Sequence, residues 1–556
     1  MMKKSDTKMG VLYFAIILSI NTAIAVVLFS LGYIQYATDD DFYMMAQAAG
    51  AYGEYSPYLI NSMVSSVVLG WILRFLFLHF PICNWMTLFY LGATIIGETV
   101  IEFCIIRKNG FAKIGFSVFL SILLIPYLLL GINYTKMGGL LSLASVVVCG
   151  SITDETDKKR RIYKYFIMVF LFFSAYITRD QAALFVLPFL AVFIIGHLRR
   201  LEFRPTKSFY IQWLIIFILY ASVIISLTMV NAKAYSATPD IARLDTREKN
   251  LTELRDYGTP LYEEHEAEYK ELGILPIDIE MLTGCYYLDE EVFCESTLKS
   301  IIAMKTQGRV GIKKRLLEVY EVFSDEVIKY SLFVVSLILS VLFLFCGTRF
   351  FETVSAFILS MAEIVFLIFL GRYPLRVLYV PMLACIAVMV ATADLNFLKM
   401  KKGIYGAMGV LVVYALLSCG INSERDRGYG YRKDDSKELI EMSKQSDNLY
   451  IVDSDVLFFP YSPMDIPTFN SWSNIAFDEG WVVDTITNEN KIRSFLNGDD
   501  NVYKLATTCD NLYFVGGDSI DMKLEYIKNH YSPKAKYELV DVVGGEEVYR
   551  FYEAEE

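Results

Sequence analysis

Three consecutive carboxylates, Asp39-Asp40-Asp41, follow the first long apolar stretch of the chain, in the context Tyr36-Ala37-Thr38-Asp39-Asp40-Asp41-Phe42-Tyr43. A carboxylate can take a proton from a hydroxyl or ligate a divalent cation. The apolar stretch, Gly10 to Tyr33, has about 24 residues, enough to cross a bilayer with some tilt. Acids just beyond such a span lie at the outer membrane surface. There they can serve a lipid-tethered substrate as general base or metal ligand. The competing reading is a polar loop that ends a helix.

A second group of residues is cationic. Lys136 follows Tyr134 in the short turn Asn133-Tyr134-Thr135-Lys136-Met137-Gly138-Gly139. Arg179-Asp180 fills a tight turn between two short spans, and Arg372 and Arg376 flank Tyr373-Pro374-Leu375. Glu98, Glu102 and Glu363 lie deeper in apolar segments. Charge inside a bilayer is costly and faces a partner or a cavity. The guanidinium fork matches phosphate oxygens and the ammonium adds a point charge, so the cations read as a lipid-phosphate site. Singly, each also reads as a snorkelling headgroup contact or a structural ion pair. Glu98 and Glu102, one helical turn apart, read as pairing within the bundle.

The elements that must position these groups are membrane helices. The 556 residues are 55% hydrophobic and 15% aromatic, which marks a polytopic membrane protein. Eleven spans are predicted, at 10–33, 84–106, 114–132, 138–152, 162–178, 181–198, 209–230, 329–347, 352–370, 375–393 and 403–421. The first is too long for a signal-peptide core and reads as retained. Lys3-Lys4, Arg107-Lys108 with Lys113, Lys158 to Arg161, Arg199-Arg200, Arg349 and Lys399 to Lys402 then fall on one side, the cytoplasmic one. Leu59 to Phe80 is read as an amphipathic helix on the outer surface, interrupted by Ser62, Ser65, Ser66 and Arg74. This orientation predicts a multi-pass protein of the plasma (cytoplasmic) membrane with a cytoplasmic N-terminus.

Outside lie the loops 34–83 and 231–328 and the tail 422–556, read as an extracytoplasmic α/β domain after a transmembrane domain at 1–421. Asn448 to Val452 and Asn511 to Val515 read as strands, and Met522 to His530 as a helix. Tyr537 to Val543, Gly544-Gly545 and Glu547 to Tyr552 read as a hairpin. Trp472, Trp481, Tyr461 and Phe469 read as its core, or as platforms for sugar rings. The net charge of −11 concentrates in the loop 231–328 and the tail, leaving no basic face for nucleic acid. Most of the nine cysteines lie in apolar segments. Cys285 and Cys294 flank a polar octapeptide, and whether they pair, as an oxidising compartment would allow, stays open. No zinc motif is present.

In the order of its features the chain resembles the GT-C class of membrane glycosyltransferases, which includes the protein O-mannosyltransferases and the lipid A aminoarabinose transferase. The resemblance rests on one span, then Thr38-Asp39-Asp40 with Asp41, then the surface helix at Leu59 to Phe80. A multi-span bundle with Thr178-Arg179-Asp180 follows, then a large outer loop, Gly371-Arg372-Tyr373-Pro374-Leu375-Arg376, and an outer C-terminal domain. Asp40-Asp41-Phe42-Tyr43-Met44-Met45 also looks like the start of poorly characterised bacterial members. The resemblance covers residues 1–421 and implies hexosyl or pentosyl transfer from a polyprenyl-phosphate sugar to an envelope acceptor: a glycan, a polymer, a lipid or a protein. Asp40 would be the general base, with Asp39 and Asp41 competing. Arg372 and Arg376 would hold the lipid phosphate, with Arg179, Lys136 and Tyr134 nearby. The resemblance implies no particular cofactor, and a divalent cation on the acids stays open. The loop lacks the Glu that follows the first Asp in the aminoarabinose transferases, which leaves the acceptor open. The alternatives are a non-catalytic membrane anchor with a partner-binding tail, or a lipid or glycan transporter.

Overall fold

The computed structural model describes the chain except residues 1–3, 65, 110–113, 308–311, 346–348, 394, 396–405, 407, 419–434, 455, 457–462, 518 and 555–556. Lys113, Lys399 to Lys402, Ser65 and Tyr461 lie outside the described residues. The described chain is a polytopic α-helical protein with a small C-terminal sheet. It divides into two compact units: 1–38, 86–230 and 312–426, and 39–85, 231–311 and 427–556.

The first unit is a helix bundle. Among the described residues, eight helices are long and apolar enough to cross a membrane. Those at Met9–Ser30, Trp85–Asn109, Tyr134–Ile152, Lys158–Thr178, Asp180–Arg200, Lys207–Tyr235, Phe350–Phe369 and Leu375–Thr392 match eight of the expected spans. The three others are helical but shorter: Ile114–Leu129, Ser331–Phe345 and Met408–Ser418. Ser331–Phe345 follows Lys313–Lys329 at a bend of 84°. Pro188 explains another break. The span Asp180–Arg200 runs as an α-helix to Val186, a 3₁₀ turn at Leu187–Phe189 and a second α-helix from Leu190.

The bundle packs around α6 (Tyr134–Ile152), whose residues are almost all buried. Small residues let its neighbours approach. A Cβ on Gly139 would stand 2.7 Å from Val380, and one on Gly138 would stand 3.0 Å from the Cβ of Arg179. The N-terminus of α6 therefore meets the end of α7 (Lys158–Thr178) and the start of α18 (Leu375–Thr392). At the other end of the bundle the basic clusters gather with acids. Arg107 and Lys164 both reach Glu155 at 3.1 Å, Arg200 reaches Asp154 at 2.9 Å, and Arg199 reaches Glu352 at 2.8 Å. Glu102 is paired within the bundle, accepting from Asn21, Ser117 and Ser121.

The second unit is built on a five-stranded sheet of order β2-β1-β3-β5-β4. Its strands are β1 (Leu449–Val452), β2 (Ile475–Phe477), β3 (Leu512–Val515), β4 (Ala535–Val543) and β5 (Glu546–Glu553). Strands β2, β1 and β3 are parallel, with Tyr450 opposite both Ile475 and Tyr513. Their unbroken apolar runs suit strands covered on both faces. The hairpin turns on Gly544 and Gly545, both at positive φ, as a two-residue turn between twisted strands requires. The core of this unit mixes tail and loop. Leu449, Phe514 and Tyr526 pack in one cluster with Leu251, Tyr269, Phe293 and Leu298. The loop after the seventh expected span thus supplies ordered helices, among them α11 (Pro239–Tyr257).

One expectation is corrected, and one open point is answered. The helix in this stretch is α3, Val67–His79, not Leu59 to Phe80; Ser66 caps it by accepting from the backbone N–H of Val68, and residues 59–64 lie outside it. Cys285 and Cys294 are free thiols, and Cys294 lies by the hydroxyls of Ser296 and Thr297.

Candidate functional site

The acids open α2 (Asp39–Ala49), all three in its first turn. That position is favourable in itself, because carboxylates complement the exposed N–H groups of a helix start. The three differ in setting. Asp41 is fully buried, while Asp39 and Asp40 are half-buried. Asp39 Oδ1 accepts from the backbone N–H of Asp40. Asp40 Oδ1 accepts from the indole Nε1–H of Trp481 at 2.7 Å. Trp481 belongs to a 3₁₀ turn after β2, so the sheet fixes the donor that orients the carboxylate.

An aromatic cluster locks α2 in place. Tyr43 is edge-on to Trp472, Phe477 and Trp481, with centroids 6.0, 5.2 and 6.4 Å away. Phe42 and Tyr52 pack on Trp472, and the Tyr43 hydroxyl donates to the carbonyl of Ser454. Trp472 and Trp481 are thus core residues. Phe469 is 53% exposed yet stacks on Tyr55 at 5.0 Å. Among the described residues no three His, Cys, Asp or Glu side chains are grouped to hold a metal ion.

In the first unit the structure brings together Tyr134, Lys136 and Arg179 at the N-terminal end of α6. Asn133 caps that helix, its side chain accepting from the backbone N–H of Thr135. The Arg179 guanidinium lies over the Tyr134 ring at 5.4 Å and donates to Gln181 at 3.0 Å. Lys136 donates to the carbonyls of Tyr127, Leu130 and Gly131 at 3.2, 2.9 and 2.9 Å. It thereby caps the C-terminal end of α5 (Ile114–Leu129). Its ammonium also lies 4.8 Å from the Tyr379 ring, one turn into α18. Arg376 stands in the first turn of α18 and is half-buried, as is Arg372. Gly371 takes φ of +77°, turning the chain sharply before Arg372.

One residue was not foreseen. Arg315 brings Nη1 to 3.9 Å from where a Gly371 Cβ would stand. It lies on α15 (Ile312–Asp325), whose Leu316, Leu317 and Tyr320 are exposed. That apolar stripe at helical spacing was the available signal. Thr38, which precedes Asp39 in the chain, receives a bond from Asn133 at 3.4 Å, and Tyr36 bridges Ile132 in parallel.

No family model and no curated protein matches the chain. Among solved structures it is similar to the crystal structure of ArnT from Cupriavidus metallidurans in the apo state, with 10% sequence identity, 98% of each chain covered and a TM-score of 0.41.

Proposed function

We propose that the protein is a membrane glycosyltransferase of the GT-C type that moves a sugar from a polyprenyl-phosphate donor to an envelope acceptor. The observation that carries the reading is the Trp481 donor on Asp40. That donor orients a carboxylate that is also partly accessible, which supports Asp40 as the base. In the proposed reaction Asp40 takes the proton of the acceptor hydroxyl. The hydroxyl oxygen forms the new bond to the anomeric carbon, the bond to phosphate breaks, and polyprenyl phosphate leaves with inversion. The base raises the nucleophilicity of the hydroxyl as the sugar passes through an oxocarbenium-like state. Cations lower the barrier by neutralising charge on the departing phosphate. We assign that role to Arg372 and Arg376, with Arg179 over the Tyr134 ring, and Lys136 adding its charge.

The test uses the full chain in lipid nanodiscs with a panel of polyprenyl-phosphate sugars and an envelope extract as acceptor. Free polyprenyl phosphate is followed by mass spectrometry. The reading predicts release by the wild type, lowered about 10²–10³-fold in Arg372→Ala, as for loss of one group that stabilises a developing anion. Equal release by both proteins, or none with any donor, would overturn it.

A further inference from the structure

One side of α15 packs on the bundle and another is apolar yet uncovered. Val319 is buried, and the ring of Phe323 meets Phe333 edge-on at 5.6 Å. Leu316, Leu317 and Tyr320 stand clear of that contact and are 55%, 56% and 70% exposed. Their spacing puts them in one stripe, and Lys313, one turn before Leu317, begins the same row. Large apolar side chains grouped on a surface mark a face that something covers.

Direction says what covers it. The next helix, Ser331–Phe345, carries no charge, and its Leu337, Ile338 and Val341 are exposed, as on a helix that faces lipid. The run Lys313–Lys329 meets that helix at 84°. A helix bent by that angle from a span runs along the membrane surface. α15 does not enter the hydrocarbon itself, because six of its fourteen residues are charged.

Charge says which surface. Lys313, Lys314 and Arg315 fill the first turn of α15, and Glu318, Glu321 and Asp325 follow. The helix dipole favours the reverse order, so the basic turn opposes the helix that carries it. Among the described residues Arg315 alone of the three cations is paired with an acid, Glu318 at 3.1 Å. Lys313 and Lys314 are exposed. A layer of anionic headgroups supplies the negative charge that this end lacks. The apolar stripe then sits in the acyl boundary while the lysine stems reach up to the headgroups.

We propose that α15 lies in the plane of the membrane and binds anionic phospholipid, with Lys313 and Lys314 on the headgroups and Leu316, Leu317 and Tyr320 among the acyl chains. This contact goes beyond the transferase reading and needs no turnover to be read.

The experiment uses the full chain in nanodiscs of equimolar phosphatidylglycerol and phosphatidylcholine. In one preparation the phosphatidylglycerol carries a diazirine near the start of an acyl chain, and in a second the phosphatidylcholine does. After illumination, adducts are mapped by mass spectrometry. Wild type gives adducts at Leu316, Leu317 and Tyr320, with phosphatidylglycerol favoured at least about fivefold, the worth of one lysine at an anionic surface. Lys313→Gln combined with Lys314→Gln removes that preference. Adducts on Ser331–Phe345, which the double variant leaves untouched, stay as in wild type and report an intact fold. No adduct on α15, whether a second copy or water covers it, overturns the proposal. So does equal labelling by the two lipids, or a preference that survives in the double variant.

Discussion

Asp40 accepts from a neutral donor, the indole N–H of Trp481, which helps to orient it. Trp481→Phe keeps most of the ring packing and deletes only the Nε1–H. We expect it to lower kcat about tenfold with the donor KM unchanged, because a positioning contact is lost and no binding contact with the donor is. A second residue of interest lies at the C-terminal ends of the parallel strands. Lys523 is buried, 2.6 Å from Asp453 and 3.0 Å from Asp478. Burial pushes the Asp478 carboxyl above the usual carboxylate range even with Lys523 beside it. Lys523→Met strands two buried acids and should cost about 3–5 kcal/mol, read as faster hydrogen exchange of the β1 and β3 amides. The acid run was legible in the sequence because three adjacent carboxylates after an apolar span stand out by type. Its partner was not, because Trp481 lies 441 residues from Asp40 along the chain. The capping role of Lys136 was hidden too. A lysine beside a turn looks the same whether it meets phosphate or three carbonyls.

Helices and strands set where these groups stand. α3 crosses the backbone of Pro57 at Gly70, where an added Cβ would stand 1.9 Å from the Pro57 carbonyl oxygen. Backbone cannot move aside as a side chain can. Gly70→Ala should therefore destabilise the docking of α3 by about 1–3 kcal/mol, checked by proteolysis within residues 57–80. The helix Ile520–His530 is tied to Pro276–Thr283 by His530 Nε2 and Asp278 Oδ1 at 2.7 Å. The bond to Asp278 raises the His530 pKa above its ordinary value, against the opposing effect of burial. The stabilisation from this pair is full below the unfolded pKa of roughly 6.5 and fades as pH rises through the raised folded pKa. His530→Gln should lower the melting temperature at pH 6 more than at pH 9. Strands β1 and β3 and the glycine hairpin were legible as apolar runs with turn residues between them. Strand β2 was missed because three residues, Ile475–Phe477, are too few to show a period. The start of α3 was misplaced because apolar residues continue upstream of Ser66, while the polar Asn61 and Ser62 there bind Thr252 and Asp245 across the chain.

At the scale of the molecule the two units separate the chemistry by residue type. The first exposes long apolar side chains on its outer helices, such as Ile211, Leu214, Phe217 and Ile218, as lipid contact demands. It carries the candidate phosphate cations at the α6 N-terminal end and the paired basic clusters at the other. That division into ends was legible from charge alone, because Lys and Arg recur at alternate helix ends. The second unit carries the acids and the aromatic clamp. Its composition from three separate chain segments was not legible, since a core shared by loop and tail leaves no local mark. The central claim is that one acid of the three does the chemistry. Its most direct test is the rate of polyprenyl-phosphate release by Asp39→Asn, Asp40→Asn and Asp41→Asn, each checked for folding and donor binding. The account predicts a fall of about 10²–10⁴-fold in Asp40→Asn, the usual worth of a general base, with Asp39→Asn near wild type. Wild-type turnover by folded Asp40→Asn would contradict it.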